Sequence, residues 1–401
     1  MDSPICLSPT SSSSSDADDK PDAKRQKLSL PPGKVAVICN CVTIERDCYD
    51  IFIIDLNSKT HGFVDDEFIR VPPTVGIKRG RYDTNGFCIL GSTFYMIESA
   101  DKKMVPPPKS VYIIDLSLYL HDDDDVVTKP DLKILEKSEL GKTPDMLHPK
   151  SKPFGIPTPD GKKMLVFSSI IRHEYGAEIA GVGDFELYDP ENKTWKQLPG
   201  IHSENSYGTY FWIAAFAFIG RSTFFIETDT ELMYSIDLES LDQGWKQCET
   251  IYGRSTTRCW NFPFYLIDEE LCLTSACAYD VTKEEHREWY FPRPSYGVQF
   301  RHCGHSSVIL LGDVKNEQCN FGILESGLGQ QTKYPHLTID KYHCDVSKYR
   351  EDKKKNCDDA ELSTSITHVR CFKFLLDVEK CTVFYTPKSF SLSRQWLNIC
   401  P

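Results

Sequence analysis

The sequence contains no apolar run approaching the ~20 residues with which a helix crosses a bilayer. The longest candidate, Phe211 to Ile219, suits a buried strand. Met1 to Asp19 lacks the charged-then-apolar pattern of an export signal and is instead rich in Ser and acidic residues. The expected location is therefore the nucleus and/or the cytoplasm. Basic charge is also in short supply. Lys and Arg number 46 against 58 Asp and Glu, a formal net charge of -12. A body of that sign has little surface with which to track phosphates, which argues against general nucleic-acid binding. It also has no attraction to an anionic membrane.

Motifs that carry chemistry are equally scarce. Gly327-Leu328-Gly329 has no third glycine at the dinucleotide-binding spacing, and neither GxxxxGK[ST] nor GxSxG occurs. No catalytic residue and no cofactor is expected on these grounds. Asp122–Asp125 and Asp65-Asp66-Glu67 lack the spacing of a calcium loop and read as solvated acidic loops. One constellation has metal-ligand chemistry: His302, Cys303 and His305, with His343 and Cys344 about forty residues on. The pattern HCxH plus HC matches no regular zinc knuckle, so these residues read as core or loop and no metal is expected. Cys39 and Cys41 alternate within a strand and read the same way. With sixteen cysteines and no export signal, most are expected as reduced core residues. Heptads and long stripes of helical period are missing too, which disfavours a helical solenoid.

What is present divides the chain in two. Residues 1–33 hold a serine run, Ser11 to Ser15, followed by Asp16, Asp18 and Asp19, and have little to bury, so this tail is expected to be disordered. Within it Lys24, Arg25 and Lys27 form a basic cluster that resembles a short nuclear-import signal. From Lys34 to the end at 401 the texture changes to short β-favouring clusters separated by turn residues. Seven can be counted: 35–56, 86–116, 164–199, 216–245, 265–289, 306–324 and 369–385. Gly91 to Ile97 echoes Gly220 to Ile226. Aspartates recur at Asp55, Asp115, Asp189, Asp237 and Asp280, and three of them precede a tryptophan: Asp189/Trp195, Asp237/Trp245 and Asp280/Trp289.

The clearest unit is Phe185 to Pro199, a strand, a turn opening at Asp189-Pro190, and a second strand carrying Trp195. It resembles the outer hairpin of a kelch-type propeller blade, and the pattern over residues 35–397 is similar to divergent kelch-like proteins of plants. The Gly-Gly pair usual in kelch blades is missing; single Gly91, Gly220 and Gly312 stand near related places. The resemblance implies an all-β fold, a β-propeller of six or seven four-stranded blades, with the Asp and Trp positions structural. Kelch repeats recur every ~50 residues, which two of the aspartate intervals match. A propeller of this kind implies a monomeric, non-enzymatic protein-protein interaction module. Two other functions remain open: an enzyme with its site at the channel mouth, or a ligase substrate adaptor without its own F-box, since residues 1–33 are too short and polar to be one. Leu118–Lys152 and Glu325–Ile366 read as long loops, the second presenting Tyr334, Tyr342 and Tyr349 as a partner-binding rim.

Overall fold

The computed structural model describes residues 34–42, 47–56, 69–71, 73–79, 85–100, 106–119, 133–172, 179–202, 210–219, 222–230, 232–248, 265–267, 271–273, 277–280, 289–291, 305–310, 318–328, 335–354, 365–376, 383–384 and 388–391. They are almost all strands and turns. Five sheets are antiparallel meanders that use strands in chain order. Blade 1 runs through Gly86–Leu90, Thr93–Ile97, Val111–Asp115 and Gly141–Lys142. Blade 2 runs through Pro153–Pro157, Met164–Ser168, Phe185–Asp189 and Thr194–Gln197. Blade 3 has Tyr210–Ile219, Thr223–Thr228, Met233–Asp237 and Lys246–Cys248, with Ile170–Arg172 added to its first strand. Blade 4 has Tyr265–Ile267, Leu271–Leu273, Cys277–Asp280 and Trp289–Tyr290. Blade 5 has the long strands Gln318–Leu328, Pro335–Asp345 and Ile366–Leu376 after His305–Leu310, and Ile69–Val71 joins its edge in parallel.

A further sheet is composite. Lys34–Val42 and Asp47–Asp55 pair with Val75–Lys78 and, through it, with Ile134–Leu135. On its other side Lys34–Val42 takes Val383–Phe384 and Lys388–Ser391, in the register Val42↔Val383 and Ala36↔Phe390. The arrangement is thus a β-propeller of five blades rather than the expected six or seven. The physical reason lies in how the end clusters pair. Val369 to Leu376 extends blade 5, while the segments beyond it return to the first cluster, so seven sequence clusters do not make seven meanders.

Each blade buries both faces against its neighbours, which a lone sheet cannot do. Burial therefore falls along the blade: Gly86–Leu90 and Met164–Ser168 are buried throughout, whereas Thr194–Gln197 is largely exposed. Aromatic side chains fill the widening gaps. Tyr49 of the composite sheet meets Phe87 of blade 1 at 4.8 Å, and Phe167 of blade 2 meets Phe216 and Phe224 of blade 3 at 5.1 and 5.4 Å. Phe291, just after blade 4, meets Phe321 and Tyr342 of blade 5, both at 5.3 Å. Blade 5 and the composite sheet share a core of Val35, Val37, Phe52, Leu337, Ile339 and Phe374.

The aspartates recur for a reason of topology. Asp115, Asp189, Asp237 and Asp280 each end the third strand of a meander, and Asp55 ends the second strand of the composite sheet. Blade 5 has the same residue at the same place, Asp345, which the sequence pattern did not include. The tryptophans join neighbours. Trp195 of blade 2 donates its indole N–H to the Pro144 carbonyl at 2.8 Å, beyond the last strand of blade 1. Trp245 of blade 3 donates to the Pro199 carbonyl at 2.9 Å, beyond the last strand of blade 2, and packs on Phe185 at 4.7 Å. Asp280 and Trp289 hold the corresponding strand positions in blade 4; their side chains lie outside the described residues.

The two stretches read as loops contain structure. Glu325–Ile366 holds all of Pro335–Asp345 and a helix, Val346–Lys354. Tyr342 and Tyr349 are not exposed but 1% and 2% accessible, so they form core rather than rim. Polar residues such as His336, Thr338 and Asp340 obscured the strand, because part of one sheet face there is polar. Val346 and Tyr349, spaced i and i+3, turn one side of the helix onto the blade 5 core. Leu118–Lys152 likewise supplies Ile134–Leu135 and the last strand of blade 1.

The inter-blade indole bond gives a direct test. Trp245 is 7% exposed, so Trp245→Phe keeps most packing but leaves the Pro199 carbonyl without its donor. The expected loss is about 1–3 kcal/mol, and Trp245→Ala should cost about 3–5 kcal/mol, both read from urea unfolding by circular dichroism. Equal costs for the two variants would assign the whole contribution to the hydrogen bond and none to packing.

Candidate functional site

Antiparallel meanders sort their turns to two ends. The turn after the first strand and the turn after the third share one end, as three contacts show. Leu116 N–H reaches the Ser92 carbonyl at 2.9 Å, Leu238 N–H reaches the Ser222 carbonyl at 3.0 Å, and the Lys163 ammonium lies 3.6 Å from Asp189. Gly91, at φ 63, makes the first of these turns in blade 1, a conformation that suits glycine.

At this end the aspartates are consumed by their own turns. Asp115 accepts from the Ser117 N–H at 2.9 Å and its hydroxyl at 2.6 Å. Asp189 accepts from the N–H groups of Glu191 and Asn192 at 3.0 and 3.1 Å and from the Asn192 side chain at 3.1 Å. Asp237 accepts from Glu239 N–H at 3.0 Å, and Asp345 from the Ser347 hydroxyl at 2.6 Å and Lys348 N–H at 3.1 Å. These are Asx-type turns. All four carboxyls are held below their ordinary range by those bonds, foremost the Ser117 hydroxyl for Asp115, the Asn192 N–H for Asp189, the Ser222 hydroxyl for Asp237 and the Ser347 hydroxyl for Asp345.

The opposite end, where blade 1 hands over to blade 2, carries a buried ionic cluster. Glu186 lies within Phe185–Asp189 and is fully buried, as is Lys150, which precedes the first strand of blade 2. The Lys150 ammonium is paired with Glu186 Oε1 and also donates to the carbonyls of His148 at 2.8 Å and Gly183 at 2.9 Å. Its three protons thus have three acceptors. Glu186 accepts in addition from the backbone N–H of Leu147 and of His148, both at 2.8 Å. Burial pulls the Lys150 ammonium down from its ordinary value, and the Glu186 charge opposes that pull.

Local backbone explains the fit. The turn Gly181-Val182-Gly183 has φ of 70 and 85 at its glycines, and a Cβ on Gly183 would stand 2.7 Å from the His148 ring. Gly183 is thus needed for conformation and for space. Lys152 has an unfavourable φ of 46; its N–H donates to the Ser99 hydroxyl at 3.2 Å and its ammonium sits 4.5 Å over the Trp212 ring. The backbone of the same segment is tied to blade 1 by Ala100 N–H to the Lys150 carbonyl at 2.7 Å. Near this anchor Leu147 is 43%, Val182 65% and the His148 side chain 42% exposed. Tyr210, at the start of blade 3, is 58% exposed.

The chemistry available follows from burial. Lys150 and Glu186 saturate each other out of reach of solvent, so the cluster positions backbone and does not react. Burial, followed by the charge of Asp340, pushes the Cys371 thiol well up, and burial does the same to Cys88, so neither is a thiolate nucleophile near neutrality. Among the described residues no group of three or more His, Cys, Asp or Glu is placed to hold a metal. His343 and Cys344 point to opposite faces of their strand: His343 meets Asn320 at 3.3 Å, while Cys344 is buried in the core. Of their expected companions, His302 and Cys303 lie outside the described residues and His305 begins blade 5. The import candidate Lys24, Arg25 and Lys27 also lies outside. Lys150 and Glu186 were not singled out by the sequence. The one signal was an acid flanked by Phe185, Leu187 and Tyr188, in a strand buried on both faces.

No protein-family model and no curated protein matches the chain. Solved structures do resemble it at low identity. A complex of S. cerevisiae Dbp5 with Nup159, Gle1, IP6 and ADP gives a TM-score of 0.33 at 8% identity, covering 77% of this chain and 74% of that one. The tricorn protease gives 0.31 at 11%, covering 72% of this chain and 26% of that one. The extracellular domain of BT4673 from B. thetaiotaomicron gives 0.28 at 9%, covering 80% and 52%.

Two outcomes follow from this geometry. Lys150→Met would leave Glu186 buried without its countercharge and should cost about 3–5 kcal/mol in urea unfolding; a cost below ~1 kcal/mol would remove the pair from any anchoring role. The turn aspartates set an acid limit. Their folded pKa values are depressed, so their contribution is complete above the unfolded value of ~3.9 and is lost as pH falls through the lower folded values. The urea midpoint should drop in that window, and Asp189→Asn should lower it at neutral pH while making the acid drop shallower.

Proposed function

We propose that the protein is a non-enzymatic interaction module, a divergent kelch-like propeller that holds a protein partner on the end carrying Leu147, His148 and Val182. The observation that carries this reading is an exposed apolar pair seated on a fully buried, fully bonded anchor. Isolated exposed apolar side chains are ordinary. Here the backbone beneath them is fixed by the Lys150–Glu186 pair and by the tight Gly183–His148 approach, so their position is preset and little ordering is needed on binding. Tyr210, two positions before the Trp212 on which Lys152 stacks, adds an amphipathic aromatic of the kind enriched at interfaces. The kelch resemblance is supported by the aspartate at the end of each third strand and by the repeated tryptophan bond to the preceding blade. The partner is a protein.

The test is a paired capture. Leu147→Asp with Val182→Asp changes two exposed side chains and leaves the anchor untouched, so the unfolding midpoint should stay within that of the parent protein. A stoichiometric partner of the parent protein should bind the double variant at least about tenfold more weakly, the effect of a single hot spot. Undiminished binding by a folded double variant would move the interaction to another face.

A further inference from the structure

In two registers the described strands set cysteine directly opposite cysteine: Cys41 against Cys48 in the composite sheet, and Cys319 against Cys344 in blade 5. Cys48 has a polar partner, donating its thiol to Asp50 Oδ1 at 3.4 Å. Cys319 is 2% and Cys344 0% exposed, and both belong to one apolar cluster with Phe321, Tyr342 and Ile366. Both are thiols in this structure.

We infer that Cys319 and Cys344 form a redox modification site: a cross-strand pair that closes to a disulfide on exchange with a small-molecule disulfide. Directly opposed residues of an antiparallel pair point to the same face, with Cα atoms about 4.5–5.5 Å apart. That lies inside the roughly 4.4–6.8 Å span that a disulfide accepts, so closure needs rotamer changes and no shift of register. The place also admits a reagent. The pair stands one position from the ladder's end at Gln318↔Asp345, where the chain leaves the sheet for the helix Val346–Lys354. Such ends open locally more readily than the middle of a sheet.

The exchange balances without any other reactant. One cysteine, as thiolate, attacks the reagent disulfide, forms a mixed disulfide and expels one thiolate. The second cysteine thiolate attacks the protein sulfur of that mixed disulfide and expels the other. The protein loses two electrons and two protons, and the reagent gains both as two thiols. The product ties the second strand of blade 5 to the third beside the Asp345 turn, fixing the corner from which the helix departs.

The experiment uses the full chain and oxidised glutathione. Native protein is incubated with the reagent, remaining thiols are alkylated, and trypsin is applied; Lys333 and Lys341 separate the two cysteines into different peptides. The expected product is a linked peptide pair containing Cys319 and Cys344, lighter by the hydrogens lost and absent after treatment with a reductant. It should form in native protein faster than any link to Cys371, which faces Asp340 across the neighbouring ladder and serves as the internal control. The measurement needs no variant, so folding of a Cys→Ser protein does not limit it. Separate alkylation of both cysteines, glutathione adducts that never resolve, or a link seen only in urea-unfolded protein would overturn the inference.

Discussion

The fold depends on a problem that radial packing creates at each blade-to-blade joint. The chain must leave the last strand of one blade and enter the next, and there only some backbone groups still bond to the blade being left, as Thr143 and Met146 N–H do to Val111 and Lys109. A carbonyl at the joint, exposed at Pro144 and half-buried at Pro199, gains from a donor brought in from elsewhere. Trp195 and Trp245 supply it from the following blade, through indole N–H bonds to Pro144 and Pro199. Proline is suited to the place: it offers an acceptor and brings no N–H of its own to satisfy. The Trp245 indole also fills the gap between sheets, packing on Phe185 of blade 2 at 4.7 Å, while Trp195 packs within its own sheet on Tyr188 at 4.6 Å. One residue type thus answers the polar and the apolar requirement of the joint together, which is why it recurs at this position.

The joint between blades 1 and 2 has a second solution of another kind. There Thr143–Lys152 crosses the end of the ring and is held by a buried ion pair. Such pairs seldom add net stability relative to an apolar core, because two desolvated charges must first be compensated. What the pair gives is direction. Glu186 accepts two successive backbone N–H groups, Leu147 and His148, and Lys150 donates to two carbonyls, so four backbone groups are fixed by two side chains. An apolar substitute would leave all four without partners. The charge pair is therefore a means of holding an irregular segment in one conformation.

Much of this was legible in the residues, and the illegible parts share a cause. The aspartates and tryptophans showed through because a turn or a joint imposes the same local requirement each time, and local requirements leave local signatures. Asp345 obeys the rule but stands 65 residues after Asp280, in a stretch whose Lys and Asp content read as loop. Blade count depended on pairing between distant segments. Nothing local distinguishes Val369–Leu376, which extends blade 5, from the segments after it that return to Lys34–Val42. Tyr342 and Tyr349 read as exposed because their neighbours are charged, yet burial is decided by which face meets the blade 4 side. The Lys150–Glu186 pair is the extreme case, since its partners stand 36 residues apart and neither carries a motif.

The two ends of the ring consequently differ in what they leave unspent. At the aspartate end, carboxylates, hydroxyls and turn N–H groups satisfy one another, so little directed polarity remains for a partner. At the other end Lys150 and Glu186 are satisfied beneath the surface, and Leu147, Val182 and Tyr210 stand outward. A partner approaching the first end would have to displace bonds already made. One approaching the second would bury apolar area at about 25 cal/mol per Å² with few bonds to break. That asymmetry follows from where the meander puts its tight turns and where it puts its crossings between blades. Apolar exposure alone does not separate the ends, since Leu118 beside the Asp115 turn is 72% exposed; what the crossing end adds is the buried ion pair fixing the backbone under Leu147.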